Sequence, residues 1–147
     1  MYLLDTNIVS LLDARRHARA PELVAWMERN GAFLYLSAMS LAEMEAGILK
    51  LRRERKTRRA AELAALRDQI LSDFGDRVLP MDSLVALGVA RFAERARPKV
   101  LELADLIIAA TAKRHDLTLL TADRKYFGAL DVPVVNPLEA LPGDVAR

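Results

Sequence analysis

Five short apolar runs punctuate the chain: YLLD (2–5), FLYLS (33–37), RVLP (77–80), LTLLT (117–121) and VPVV (132–135). They are rich in Leu, Val and aromatic residues and show little polar alternation, the pattern of strands buried on both faces of a parallel sheet. Stretches of helical period separate them. Pro21 suits a first helical position and Asn30-Gly31 a C-terminal stop, bracketing PELVAWMERN. Asp82 can cap a helix that ends near Arg97, where Pro98 forbids continuation. ELADLIIAATAKRH then leads into the fourth strand through a short turn at Asp116. The β-α-β alternation predicts an α/β fold with right-handed crossovers. One region departs from it: from Ser40 to Phe74 there is no proline and Gly47 is the only glycine. Two successive helices, or one bent helix, are expected there as a helical arm between the second and third strands.

Composition narrows the class without naming it. At 147 residues and 52% hydrophobic content, the chain is long enough for one core and too short to argue for two, so residues 1–147 read as a single domain. The net charge of +2 neither demands nor excludes a polyanionic partner. With no cysteine, disulfide frameworks and thiolate metal sites are excluded. The longest uncharged run, Asn30 to Ala42, falls short of the roughly 18 to 20 apolar residues of a membrane span. A cytoplasmic protein with no membrane partner is expected.

The acids sharpen the picture. Ligands of parallel α/β sheets bind beyond the carboxyl ends of the strands. Asp5 ends the first strand, Asp123 follows the fourth in LLTADRKYF, Glu43 falls in the first turn of a helix opening SLAEMEAGI, and Asp105 lies near the start of ELADLIIAATA. Each has an ordinary explanation. Asp5, Thr6 and Asn7 are all good N-cap types, Ser40 to Glu43 fits a capping box, Asp105 suits the positive end of a helix dipole, and Asp123 could cap a short helix. Four independent caps, however, have no reason to converge on one edge of the sheet. Four neighbouring carboxylates repel unless a divalent cation shares the site, and oxygen ligands without His or Cys favour Mg²⁺ or Mn²⁺. Such acid-only sites most often serve phosphodiester chemistry.

LLDTNIVS, SLAEMEAGI, ADLIIAATAKRHDLTLLTAD and the following KYF, taken in order, resemble the PIN-domain ribonucleases, and within them the VapC-type toxins of prokaryotic toxin–antitoxin pairs. The resemblance implies a Rossmann-like three-layer sandwich around a mainly parallel sheet of about five strands. It implies a metal-dependent endoribonuclease whose catalytic and metal-binding acids are Asp5, Glu43, Asp105 and Asp123, with Asn7 and Thr121 as supporting polar residues. It also implies Mg²⁺ or Mn²⁺ as cofactor, an RNA substrate, a separate antitoxin chain and a homodimer. The helical arm is longer than in the most compact members of that family.

KLRRERKTRR (50–59) places seven Lys or Arg in ten positions. It reads either as a solvated helix face paired with Glu54 and Glu62, or as a phosphate rail beside the acids. The rail reading includes Arg15, Arg16, Arg52, Arg53, Arg55, Lys56, Arg124 and Lys125, with Arg19 near them. His17 and His115 have no visible Ser or Cys partner and read as structural or surface residues. Trp26 and Met27 read as core or interface. A phosphatase using a strand-end aspartate typically places a second Asp two residues later, where this chain has Asn7. A catalytically silent RNA-binding module is the remaining alternative, and retention of all four acids argues against it.

Overall fold

The computed structural model describes residues 1–145. Five strands, β1 (Tyr2–Leu4), β2 (Leu34–Ser37), β3 (Val78–Leu79), β4 (Thr118–Leu120) and β5 (Val134–Val135), form one sheet in the order β3-β2-β1-β4-β5. All four pairings are parallel. In β1, Leu4 is in register with Leu36 on one side and Leu120 on the other. The expected five strands are all present, each within the predicted run, and the sheet is wholly rather than mainly parallel.

The lack of polar alternation has a direct cause, since both faces of the sheet are covered. Leu3 and Leu119 point into a core built with α5 (Ser83–Ala96) and α6 (Leu103–Arg114). On the opposite face, Leu4, Leu34, Leu36 and Leu120 pack against α1 (Thr6–Val9), α2 (Pro21–Arg29) and the C-terminal half of α4 (Thr57–Phe74). This is the expected three-layer sandwich. Trp26 and Met27 are core residues, 1% and 3% exposed, and Trp26 meets the Tyr2 ring edge-on at 5.4 Å.

The helical region between β2 and β3 consists of α3 (Ala38–Arg53) and α4, joined at residues 54–56 with Arg55 in the left-handed region at φ +59°. It is fastened to the body rather than free along its length. Ile70 and Phe74 join the core beside α2, and Leu41, Met44 and Leu66 pack against the same cluster. Helix α3 starts earlier than the capping-box reading of Ser40 to Glu43 supposes. Its cap is Ser37, whose hydroxyl accepts the Met39 N–H at 3.2 Å, so Glu43 lies in the second turn and Ser40 is a buried helical residue. The Asp82 cap on α5 is present, accepting the Val85 N–H at 2.8 Å, and α5 stops at Ala96, two residues before Pro98. Asp116 takes φ +52° in the turn into β4, a conformation that Asp tolerates better than most residues. Among the described residues, no helix is long and apolar enough to cross a membrane.

Candidate active site

In the strand order of this sheet, β1 is the topological switch point: the chain moves from β1 to β2 and β3 on one side, then crosses to β4 and β5 on the other. Connections leave the carboxyl ends of β1 and β4 in different directions, which opens a crevice between them. Asp5 stands at that edge, directly after β1, and Thr121 to Asp123 directly after β4. The crevice has a volume of about 350 Å³ and is lined by Asp5, Glu43, Asp105 and Asp123 together with Thr6, Asn7, Ser10, Arg16, Tyr126 and Phe127. Four acids from four separate elements therefore face one space.

Asp5 serves the crevice and the helix at once. It is the N-cap of α1, its Oδ1 accepting the Thr6 N–H at 2.7 Å, while Oδ2 accepts the Thr121 hydroxyl at 2.6 Å. The side chain is buried, and this burial raises its pKa; the Thr121 and Thr6 hydrogen bonds oppose the rise, and the charges of Glu43 and Asp123 add to it. Asp105, in the first turn of α6, is pushed up to about 6, first by burial and then by the charges of Asp5, Glu43, Glu102 and Asp123. For Asp123 the capping explanation fails: it stands before α7 (Arg124–Phe127), yet its side chain makes no cap bond there.

Asn7 and Thr121 tie the two strand ends together. The Asn7 amide donates to Thr121 Oγ1 at 3.3 Å and to Asp123 Oδ2 at 3.4 Å, while its oxygen accepts the Ala122 N–H at 3.3 Å. Thr121 Oγ1 also accepts the Asp123 N–H at 3.1 Å. With its single hydroxyl proton given to Asp5, Thr121 orients one acid and, through its lone pairs, anchors the loop that carries another. Asn7 at the position where a phosphatase would need its second aspartate is thus occupied as a brace.

Two polar residues of the crevice escaped the sequence reading. Thr6 Oγ1 donates to Glu43 Oε1 at 2.7 Å and sits 3.1 Å from the Ser40 hydroxyl. Thr6 was visible only as one of three cap types, and its partner lies 37 positions away. Ser10 donates to the Asn7 carbonyl at 2.9 Å and accepts from Arg16 at 3.1 Å, which sets the Arg16 guanidinium beside the acids.

The basic residues divide. Arg16 lines the acid crevice, and Arg124 and Lys125 line the adjoining one. Arg15 is instead held by Glu62 at 2.8 Å, and Lys56 by Glu54 at 2.8 Å. Arg52, Arg53, Arg55 and Lys56 are exposed on the arm and do not line the crevice. His17 bonds the Leu12 carbonyl at 2.7 Å and His115 is the C-cap of α6, both structural placements.

The donor set suits a hard divalent cation: carboxylate oxygens only, two of them with raised pKa values that a cation would reverse. Among the described residues, no three acidic or His side chains are gathered closely enough to hold a metal as they stand. Glu43 commits one carboxylate oxygen to the Thr6 hydroxyl at 2.7 Å.

Comparison with known proteins agrees with this architecture. The chain is 39% identical over 140 residues to Toxin FitB of Neisseria gonorrhoeae, covering 93% of this chain and 98% of that protein. It is 33% identical over 142 residues to the VapC ribonuclease Y4jK of Sinorhizobium fredii, covering 95% and 99%. A toxin–antitoxin complex from Klebsiella pneumoniae superposes with a TM-score of 0.60 at 30% identity, over 93% of this chain and 98% of that one. Residues 2–132 match the PIN domain, and the chain belongs to the PIN-domain family, with relatives among its VapC-type toxins.

Proposed function

We propose that this chain, acting as a single PIN domain over residues 1–147, is an endoribonuclease that hydrolyses RNA phosphodiester bonds with Mg²⁺ or Mn²⁺, as the toxin of a toxin–antitoxin pair in the cytoplasm. The observation that carries the reading is the crevice at the β1/β4 switch point, where Asp5, Glu43, Asp105 and Asp123 face one another. The similarity to a VapC ribonuclease supports the chemistry, and the similarity to a toxin–antitoxin complex supports a separate antitoxin partner.

Asp5, Glu43, Asp105 and Asp123 would hold the cation. When bound, it lowers the pKa of water and neutralises charge developing on the phosphate. The protein's own groups prepare that chemistry. Thr121 and the Thr6 N–H hold the two oxygens of Asp5, and the Thr6 hydroxyl holds Glu43. Arg16 stands at the rim as a fixed positive charge for a phosphate oxygen. No side chain of the crevice is needed as nucleophile, since water attacks the phosphorus and the 3′-oxygen leaves. The exposed apolar side chains Leu84 and Leu87 on α5, both more than half exposed, support a homodimer.

The test is cleavage of total cellular RNA by the purified protein with Mg²⁺ or Mn²⁺, beside EDTA and Asp5→Asn controls. Discrete metal-dependent fragments, absent with the folded variant, are expected. A folded, inhibitor-free protein that leaves RNA intact would instead be the silent binding module.

A further inference from the structure

Tyr126 lies in α7 next to Phe127, and the two aromatic rings have opposite fates. Phe127 is 1% exposed and belongs to the core, whereas Tyr126 is 41% exposed and lines the acid crevice. Two ammonium groups sit over the Tyr126 ring: Lys99 Nζ is 5.7 Å and Lys125 Nζ 5.5 Å from its centroid. Lys99 also donates to the Lys125 carbonyl at 3.5 Å, joining the loop after α5 to α7. Among the described residues, the lysines in ion pairs are Lys56 and Lys113, so neither ammonium on the ring has a carboxylate partner.

Two like charges gathered on one solvent-facing ring repel each other, and the ring quadrupole offsets that only in part. An anion between them would resolve it. A second crevice of about 690 Å³ adjoins the acid crevice that Tyr126 lines, sharing Asp123 and Phe127 with it; Leu130, Val132 and Val134 add apolar lining, Lys125 adds a cation unpaired among the described residues, and Arg124 is paired with Glu139 at 3.5 Å. An aromatic face, an apolar floor and cations on the rim form the combination that binds single-stranded nucleic acid, with bases on rings and phosphates on cations. An acidic peptide would use the lysines and leave the ring without a role.

We propose that Tyr126, Lys99 and Lys125 hold single-stranded RNA beside the cleaved phosphate, the two exposed ammoniums moving off the ring to the flanking phosphates and freeing its face to stack one base. This rests on the ribonuclease reading above. Tyr126 is then a positioning residue for the substrate strand, and sequence preference is set in part by which base stacks best on it.

The experiment measures binding of a fluorescein-labelled single-stranded RNA by anisotropy across a salt series in Ca²⁺, and cleavage kinetics in Mg²⁺. The proteins are the wild type, Tyr126→Ala, Tyr126→Phe and the Lys99→Gln/Lys125→Gln double variant. Tyr126→Ala is expected to weaken binding about tenfold or more, within the range for loss of one stacked base, and to raise KM rather than lower kcat; Tyr126→Phe restores both. The lysine double variant, whose exposed substitutions leave the core intact, is expected to flatten the slope of log K against log salt by about 1.4, two contacts at about 0.7 each on single strands. A wild type that binds and cleaves RNA, with Tyr126→Ala and the lysine variant unchanged in affinity and salt slope, overturns the RNA-holding role and leaves the nuclease standing. A wild type that neither binds nor cleaves RNA overturns both.

Discussion

Asp105 shows how a single residue can be placed against the stability of its own fold. Its carboxyl is pushed up to about 6 by burial and by the acids across the crevice, whereas an aspartate in an unfolded chain titrates near 3.8. Between those two values the unfolded chain releases its proton first, so the folded state binds more protons and loses stability as pH rises. Below about pH 4 the loss is absent, and above about pH 6 it is complete. Asp105→Asn keeps the shape and removes the charge. In EDTA its melting temperature is expected to exceed that of the wild type by a few degrees at pH 8 and to match it near pH 4, a difference that thermal unfolding at the two pH values would read. The reverse result, a variant less stable at pH 8, would mean that Asp105 is satisfied by a partner other than a cation. The same substitution should abolish metal-dependent cleavage, since the charge that destabilises the apo fold is the one offered to the metal.

At the scale of elements, the arm between β2 and β3 is held to the loop after α1 by charge. Arg59 of α4 makes a two-pronged ion pair with Asp13, NH1 reaching Oδ1 at 3.2 Å and NH2 reaching Oδ2, and Arg15 reaches across to Glu62. The Arg59 hydrogen bonds hold the Asp13 carboxyl below its usual range, and Asp13 itself is only 7% exposed. Arg59→Ala strips a buried carboxylate of its two-pronged partner, leaving it the Arg15 N–H at 3.3 Å and the Arg16 guanidinium at 3.8 Å, and a loss of about 2 kcal/mol at pH 7 is expected by urea unfolding. The sign follows from the lowered pKa: the contribution is present above about pH 4 and lost as pH falls through the folded value. Here too lies the boundary of what the sequence discloses. Strands were legible because burial on both faces makes their runs continuously apolar, and the four acids because each stands at a strand end or within two turns of a helix start at one edge of the sheet. Partner choice was not. Arg15 and Arg52 look alike in their separate arginine-rich stretches, yet Arg15 is held by Glu62 while Arg52 stands exposed on the arm. The sequence offers Ser40 as the cap and Ser37 as the end of a strand, but β2 runs straight into α3 and the cap falls to Ser37. Thr6 became a support for Glu43 only once the sheet set α1 beside α3.

For the whole molecule, the crevice couples cation binding to folding. An apo protein with a raised carboxyl at Asp5 and another at Asp105 holds electrostatic stress at the switch point of its only described sheet. A cation that binds the folded state alone stabilises it by RT ln(1 + [M]/Kd), about 2.7 kcal/mol at a hundredfold excess over Kd. For a chain of this length that corresponds to a rise of roughly 5–10 °C in melting temperature. Mg²⁺ or Mn²⁺ is therefore expected to raise the Tm of the wild type in a concentration-dependent manner, and EDTA to reverse it. Proton and cation compete for the same carboxyls, so the shift should be small at pH 5 and grow as pH passes about 6, where Asp105 ionises. Asp5→Asn should lose most of the shift; because the amide replaces one of the two acceptor oxygens that hold Thr6 N–H and Thr121, each protein's metal-induced shift is read against its own metal-free melting temperature. Calorimetric melts over a grid of pH and metal concentration would read all of this without any RNA substrate. A pH-independent shift that survives Asp5→Asn would place the cation elsewhere on the surface, and the acids of the switch point would then need another reason to face one another.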